Sequence, residues 1–286
     1  MQVAMKRNVI RRKPVESKSG ADTDSDARDG GVQSVDRALS IIEVLAEDDE
    51  GYRLTDLAVR TGLLTSTVHR LLATLEKRRF VQFDRTESKW HVGAQSFAVG
   101  ATFTRRRNFT AQAMPYLRKL RDLTRETANL AVVDDESIIV LTRMESREIM
   151  RSLTKVGGRV AMVASGVGKA VLATYSNEDV SAIIHHHGMP RLTEKSVVRP
   201  GDLFKELEKI RRQGFAIDDE EACMGLRCIA AVVYNDCAEP LAAISVSGMT
   251  SRLTDERLPQ LGQTVREVAA ELTVALGGVM PAAKVD

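Results

Sequence analysis

Apolar residues recur at helical spacing from the thirties onward, at Val35, Ala38, Leu39, Ile42 and Leu45. That pattern predicts a helix capped by Ser34 and ended by the polar run Asp48 to Gly51. The segment RLTDLAVRTG predicts a second, short helix with Thr55 as cap, Leu57 and Ala58 inward and Gly62 at its C-terminal stop. In TSTVHRLLATLEKRR, Val68, Leu71, Leu72 and Leu75 form one stripe behind a cap at Thr65 or Ser66. The opposite face carries Thr67, His69, Arg70, Ala73 and Thr74 and no acid. FVQFD and KWHVG then alternate on either side of RTES, which reads as a β-hairpin. Helix, helix, tight turn, helix and hairpin is the order of a winged helix-turn-helix.

A helical stretch from Gln95 to Asn108 and a second in AQAMPYLRKLRDLTRETA, with Pro115 near its start, lead away from this module. Beyond Asn129 the period changes. NLAVVD and IIVLTRM are strand-like around a DES turn, RSLTKVGGRV is extended, and SGVGKAVLATY is a helix opened by glycine. Helices near 177 to 186 and 201 to 213 follow, then strands GFAID, CIAAVVY and LAAISVSG and a final helix from about Thr254 to Leu276. Strands in hairpin-like pairs with interspersed helices predict an α+β domain on an antiparallel sheet. No internal repeat is visible.

At 286 residues the chain is long enough for two domains with their own cores. The expected divisions are a disordered tail over 1 to 32, a winged helix-turn-helix over 33 to 94, a linker helix over 95 to 110 and a second domain over 111 to 280. The tail mixes charge, Gly and Ser without apolar periodicity, so it lacks the surface to offset its ordering entropy. Three cysteines, Cys223, Cys228 and Cys237, argue for thiols in a reducing cytoplasm, and no apolar run has membrane-spanning length.

A net charge of +2 neither demands nor excludes nucleic acid, so charge has to be read locally. Between Ser66 and Lys89 six basic residues face three acidic ones, a surplus suited to a duplex backbone. In a helix-turn-helix the early residues of the second helix of the pair reach base edges, which selects Ser66, Thr67, His69 and Arg70. Thr74 and the hairpin's Arg85 and Lys89 complete the candidate set for double-stranded DNA. His69 has no Cys or His neighbour at ligand spacing and is read as a surface contact.

The chemistry of the second domain centres on DDEEACMGLRCIAA, residues 218 to 231. Cys228 as a nucleophile would need a base that lowers its pKa, and the sequence offers no evident one. The run His185, His186, His187 cannot point all its rings one way on a helix, so no metal or other cofactor is expected. The start of GVGKAVLA instead offers unpaired backbone N–H groups to an anion. Ser245 and Ser247, two apart on a strand, face the same side. The commonest fate of an isolated cysteine, a small buried core residue, remains open for Cys228.

The combination of LTSTVHRLLATLEKRRFVQFD with SGVGKAVLA and GFAIDDEEACMGLRCIAAVVYNDCAEPLAAISVSG resembles the IclR family of bacterial transcription regulators, over about residues 33 to 278. From Gly214 to Gly248 the chain is most similar to the glyoxylate-sensing members. The resemblance implies an N-terminal winged helix, a dimerising linker helix and a C-terminal effector domain with a GAF-like antiparallel sheet, commonly assembled as a dimer of dimers. It implies a regulator and not an enzyme. It also places a small-acid pocket at Gly166 and Val167, at Asp218, Leu226 and Cys228, and at the hydroxyls of Ser245 and Ser247. Val160 stands where a larger apolar wall residue is usual. Asp219, Glu220 and Glu221 are expected in a solvated or ion-paired turn. The effector expected is glyoxylate or a similar 2-oxo acid. An aromatic-acid sensor and a cysteine hydrolase fused to a DNA-binding domain are the rival readings.

Overall fold

The computed structural model of the chain describes residues 32–106, 109–134, 136–146 and 155–281; the tail expected over 1 to 32 lies almost wholly outside them. The chain divides into two compact units between Phe97 and Ala98.

In the first unit, α1 (Gln33–Leu45), α2 (Leu54–Thr61) and α3 (Thr65–Lys77) precede an antiparallel hairpin of β1 (Val81–Asp84) and β2 (Lys89–Val92). A bridge between Tyr52 and Trp90 ties the hairpin to the segment between α1 and α2. The core is Ile41, Leu45, Leu57, Val68, Leu72 and Val81, with Tyr52 and Trp90 at its rim. Gly62 closes α2 at φ 68°, the left-handed conformation that glycine adopts without steric cost. The expected caps are displaced: Val32, Arg53 and Leu64 open the three helices in extended conformation without a capping side chain. Ser34, Thr55, Thr65 and Ser66 therefore lie inside the first turns. The buried stripe of α1 is also rotated, since Ile41 is fully buried whereas Val35 and Leu39 remain 54% exposed.

The helix α4 (Ala94–Arg106) spans the division, and α5 (Phe109–Thr124) carries Pro115 in its interior and not near its start. α5 was expected to run on to Ala128. It stops at Thr124 because Arg125, at φ 62°, turns the chain into the first strand of the large sheet.

That sheet has six strands: β3 (Thr127–Asp134), β4 (Ser137–Met144), β5 (Arg159–Ala161), β6 (Ala216–Asp219), β7 (Leu226–Tyr234) and β8 (Pro240–Met249). Their order is β5-β4-β3-β8-β7-β6, and every neighbouring pair is antiparallel. Of the expected extended segment 151 to 160, residues 151 to 154 lie outside the described residues, 155 to 158 form a turn, and only Arg159 onward is strand.

The period of two sorts each strand between two cores. Leu130, Ile229, Ile244 and Val246 pack under α5 and α9 (Leu258–Ala275). Ala131, Ala230, Val232 and Ala243 point to the other face, under α6 (Gly166–Leu172), α7 (Asn177–His187) and α8 (Pro200–Gln213). α6 lies close on the sheet. A Cβ on Gly166, at its N-terminal end, would stand 3.0 Å from the carbonyl oxygen of Cys228 in β7.

Candidate functional site

Two surfaces carry the sequence-predicted residues. On α3, Ser66, His69, Arg70 and Thr74 are exposed and Thr67 is half-buried, while Val68 and Leu72 anchor the opposite side of the helix. The Thr74 hydroxyl donates back to the Arg70 carbonyl (3.0 Å). His69 and Arg85 line one groove between α3 and the hairpin, together with Ala73, Glu76 and Ser88. In the hairpin turn the Asp84 carboxylate accepts the N–H groups of Thr86 (2.7 Å) and Glu87 (3.2 Å), which holds its pKa below the ordinary carboxylate range. Lys89 departs from the others, with acids at 3.4 Å (Glu87) and 3.9 Å (Glu50).

In the second unit the register brings side chains far apart in sequence onto one face. Asp218 is paired with Cys228 and Cys228 with Ser247; one step along the strands, Ala230 is paired with Ser245 and Ser245 with Asn129. The result is a polar patch on four adjacent strands. The Asn129 amide donates to both Ser245 and Ser247 (3.3 Å each). The N-terminal end of α6 covers the patch. There Ser165 caps Gly168 N–H (3.1 Å) and its carbonyl accepts from Lys169 (2.9 Å). Among the described residues the N–H groups of Gly166 and Val167 have no acceptor, as the first N–H groups of a helix do not.

The half-open cavity has a volume of about 110 Å³. Val160, Val167, Asp218, Leu226, Cys228, Ser245 and Ser247 line it, seven of the eight expected positions. Gly166 instead packs behind the lining, where an added Cβ would stand 3.0 Å from the Cys228 carbonyl oxygen and 3.3 Å from its Sγ. Sequence reasoning missed Asn129, Val140, Ser165, Ala222, Cys223 and Arg227 in the wall. Asn129 was within reach: once β3 is set beside β8, its parity puts it opposite Ser245. Arg227 gives the cavity no free cation, because its guanidinium is held by Asp219 (2.5 Å), Asp255 (2.6 Å) and the Leu253 carbonyl (2.6 Å).

Behind the cavity lies a buried charge cluster. Lys169 of α6 is fully buried, and its ammonium donates to Glu206 (2.5 Å), to the Ile217 carbonyl (2.7 Å) and to Glu221. Burial opposes its charge, but the two carboxylates outweigh burial and hold its pKa above the usual lysine value. Glu221 was expected in a solvated or ion-paired turn; it is ion-paired but buried, and desolvation, only partly offset by Lys169, lifts it to about 7. Asp219 and Glu220 pair with Lys195 at the surface. Asp218 accepts the N–H groups of Glu221 (2.8 Å) and Ala222 (3.3 Å), yet desolvation raises it to about 6. Burial and the Asp218 charge push the Cys228 thiol up to about 11. Such a thiol is a poor nucleophile at neutral pH. The cavity therefore presents neutral donors, hydroxyls and one perturbed carboxylic acid, a set suited to reversible binding of a small oxygen-rich molecule.

The chain matches the IclR helix-turn-helix domain over residues 34–85 and the C-terminal domain of the bacterial transcriptional regulator IclR over residues 101–274. It is 41% identical over 251 residues to the acetate operon repressor of Salmonella typhimurium, covering 87% of this chain and 92% of the relative. It is 40% identical over 252 residues to the transcriptional repressor IclR of Escherichia coli, with the same coverage of 87% and 92%. Among solved structures, an IclR homologue from Microbacterium hydrocarbonoxydans complexed with 4-hydroxybenzoate shares the fold, with a TM-score of 0.71 at 21% identity over 86% of this chain and 99% of that one. The curated relatives are regulators, in keeping with a thiol that is not activated. A helix-turn-helix unit, an antiparallel-sheet effector domain and two matching domain models together make this chain a member of the IclR family of DNA-binding transcription regulators.

Proposed function

We propose that this regulator senses glyoxylate, or a 2-oxo acid of similar size, in the cavity under α6, and that it acts as a repressor of a carbon-assimilation operon. The observation that carries the reading is the cavity: about 110 Å³, with Asp218, Cys228, Ser245 and Ser247 in its wall together with Val167 from the first turn of α6. The free N–H groups suit a carboxylate. The two hydroxyls and Asn129 suit the carbonyl or hydrate oxygens. An anion beside Asp218 favours the protonated acid, which then donates a hydrogen bond to the ligand.

Wall chemistry separates this from an aromatic effector: Asn129, Asp218, Cys228, Ser245 and Ser247 line the cavity and, among the described residues, no aromatic side chain does. The names of the two curated relatives support the repressor assignment. On DNA, Ser66, Thr67, His69 and Arg70 address base edges while Thr74, Arg85 and Lys89 address the backbone. The linker over 95 to 110 pairs protomers, the unit over 111 to 280 holds the effector, and a cytoplasmic dimer of dimers spans near-palindromic operator DNA. The ligand need only bind one arrangement of the DNA-binding units better than another.

A mobility-shift titration on DNA upstream of the chain's own gene, at fixed salt, tests the reading with glyoxylate, pyruvate and 4-hydroxybenzoate. Glyoxylate is expected to alter the shift, and Ser245→Ala to raise the concentration required about tenfold, the worth of one buried hydrogen bond. A shift that answers only to 4-hydroxybenzoate rejects the small-acid assignment.

A further inference from the structure

We infer that Glu136, His186 and His187 form a binding site for a borderline divalent metal ion such as Zn²⁺, separate from the effector cavity. Successive residues of a helix diverge by about 100°, so the HHH run at the end of α7 does not bring three rings together. Two of them nevertheless converge. His186 reaches Oε2 of Glu136 through Nδ1 at 2.7 Å, and His187 reaches the same oxygen through Nε2. One ring uses its near nitrogen and the other its far one, and the difference in reach compensates for the angle between the two side chains. The carboxylate comes from another element, the turn between β3 and β4.

The three donor atoms lie within 4.8 Å of one another. In a tetrahedral site with bonds of 2.0–2.1 Å, ligand atoms stand about 3.4 Å apart. Opening the two histidine–carboxylate contacts by about 1 Å would bring them to that separation. The side chains are free to move, with 74% exposure for His186 and 51% for His187. Arg159 does not compete for Glu136, because it is engaged by Asp134 (2.6 Å) and Ser137.

Two imidazoles and a carboxylate select Zn²⁺, Ni²⁺, Co²⁺ or Cu²⁺ over Mg²⁺ or Ca²⁺. The site is at the C-terminal end of α7, where the helix dipole favours positive charge. Three protein ligands leave further positions to water or to a group from outside. The bound ion would clamp the β3–β4 turn to α7.

The test uses the full-length protein without an affinity tag, stripped by chelator and titrated with Zn²⁺ by calorimetry and with Co²⁺ by visible absorption. One equivalent per chain is expected, without a thiolate-to-cobalt charge-transfer band. His186→Ala, His187→Ala and Glu136→Gln are each expected to weaken binding tenfold or more, and His185→Ala to leave it unchanged. The site is rejected by absence of binding, by a thiolate band pointing to the cysteines, or by full affinity in the His186→Ala/His187→Ala double variant. Equal losses in His185→Ala and His186→Ala would reject it as well, since they describe a histidine tract without a defined geometry.

Discussion

The two units solve opposite problems with polar groups. In the helix-turn-helix unit every buried residue of the core is apolar or aromatic, and the candidate DNA-contact side chains stand outside it. In the effector unit the buried set includes Lys169, Glu126, Asp218, Glu221, Arg227 and Ser245, and among the described residues all the buried polar and charged groups belong to this unit. A surface that meets a charged duplex keeps its charges hydrated until contact, whereas a pocket inside a folded domain must hold its polar atoms in a buried wall. Substitutions should therefore act on stability in one unit and on salt-dependent affinity in the other.

The largest effect is expected at Lys169. Lys169→Met leaves Glu206 and Glu221 without their shared cation, and breaking a buried ion pair in this way costs about 3–5 kcal/mol. The single tryptophan, Trp90, lies in the helix-turn-helix unit, so its fluorescence follows that unit, while far-ultraviolet circular dichroism follows both. In urea the variant should lose the dichroism transition of the effector unit at lower denaturant and keep the fluorescence transition in place. A shift of both transitions together would show that the units do not unfold independently.

Asp218 comes next, and its sign follows from proton counts. Its carboxyl titrates at about 6 in the folded chain and ordinarily at 3.8, so between those values the folded state keeps a proton the unfolded state has lost. Stability then falls as pH rises from about 4 to about 6 and is flat above, and Glu221, raised from 4.5 to about 7, extends the decline. Asp218→Asn should flatten the lower part of this slope and stabilise the protein at pH 8 by on the order of 1–3 kcal/mol. Urea midpoints across pH 4 to 8 read the effect; an unchanged slope would mean that Asp218 is solvated in the folded chain. The effector unit thus sacrifices stability at a position that lines its cavity.

How much of this contrast was legible beforehand depends on whether the signal is local. The winged helix followed from the spacing of Val68, Leu72 and their neighbours, because helix period and hairpin alternation are both carried within a few residues. Seven cavity residues were reached through motif resemblance, and the pairing of Ser245 with Ser247 through strand parity. The burial of Lys169 was not legible: in GVGKAVLA a lysine reads as surface, and its partners Glu206 and Glu221 arrive from α8 and from the turn after β6. The cap errors have a local cause, since the backbone enters each helix through an extended Val32, Arg53 or Leu64 and never uses the nearby hydroxyls.

On the other side of the comparison, Arg70→Ala is expected to cost about 1–3 kcal/mol of operator affinity if the guanidinium reads a base. Binding across salt concentrations and across operator variants distinguishes the roles. Relaxed preference at one base pair identifies a base contact. A uniform loss with the salt slope reduced by about 0.9 identifies a phosphate contact. No change in either would remove Arg70 from the interface.

The smallest effect, and the sharpest test of reading the wing by charge alone, separates Arg85 from Lys89. Counting residues gives them equal weight. The structure does not, because Lys89 already sits 3.4 Å from Glu87 and 3.9 Å from Glu50, whereas Arg85 is exposed beside His69 in the groove against α3. A cation with its own carboxylates releases fewer counterions on meeting a phosphate, so Lys89→Ala should reduce the salt slope by well under the roughly 0.9 expected of Arg85→Ala. Exposed pairs of this kind contribute about 0–1 kcal/mol, so the fold should be unaffected in both variants. Equal slopes for the two would show that Lys89 leaves Glu87 and Glu50 for the DNA. The local surplus of six basic over three acidic residues would then describe the wing better than its ion pairs do.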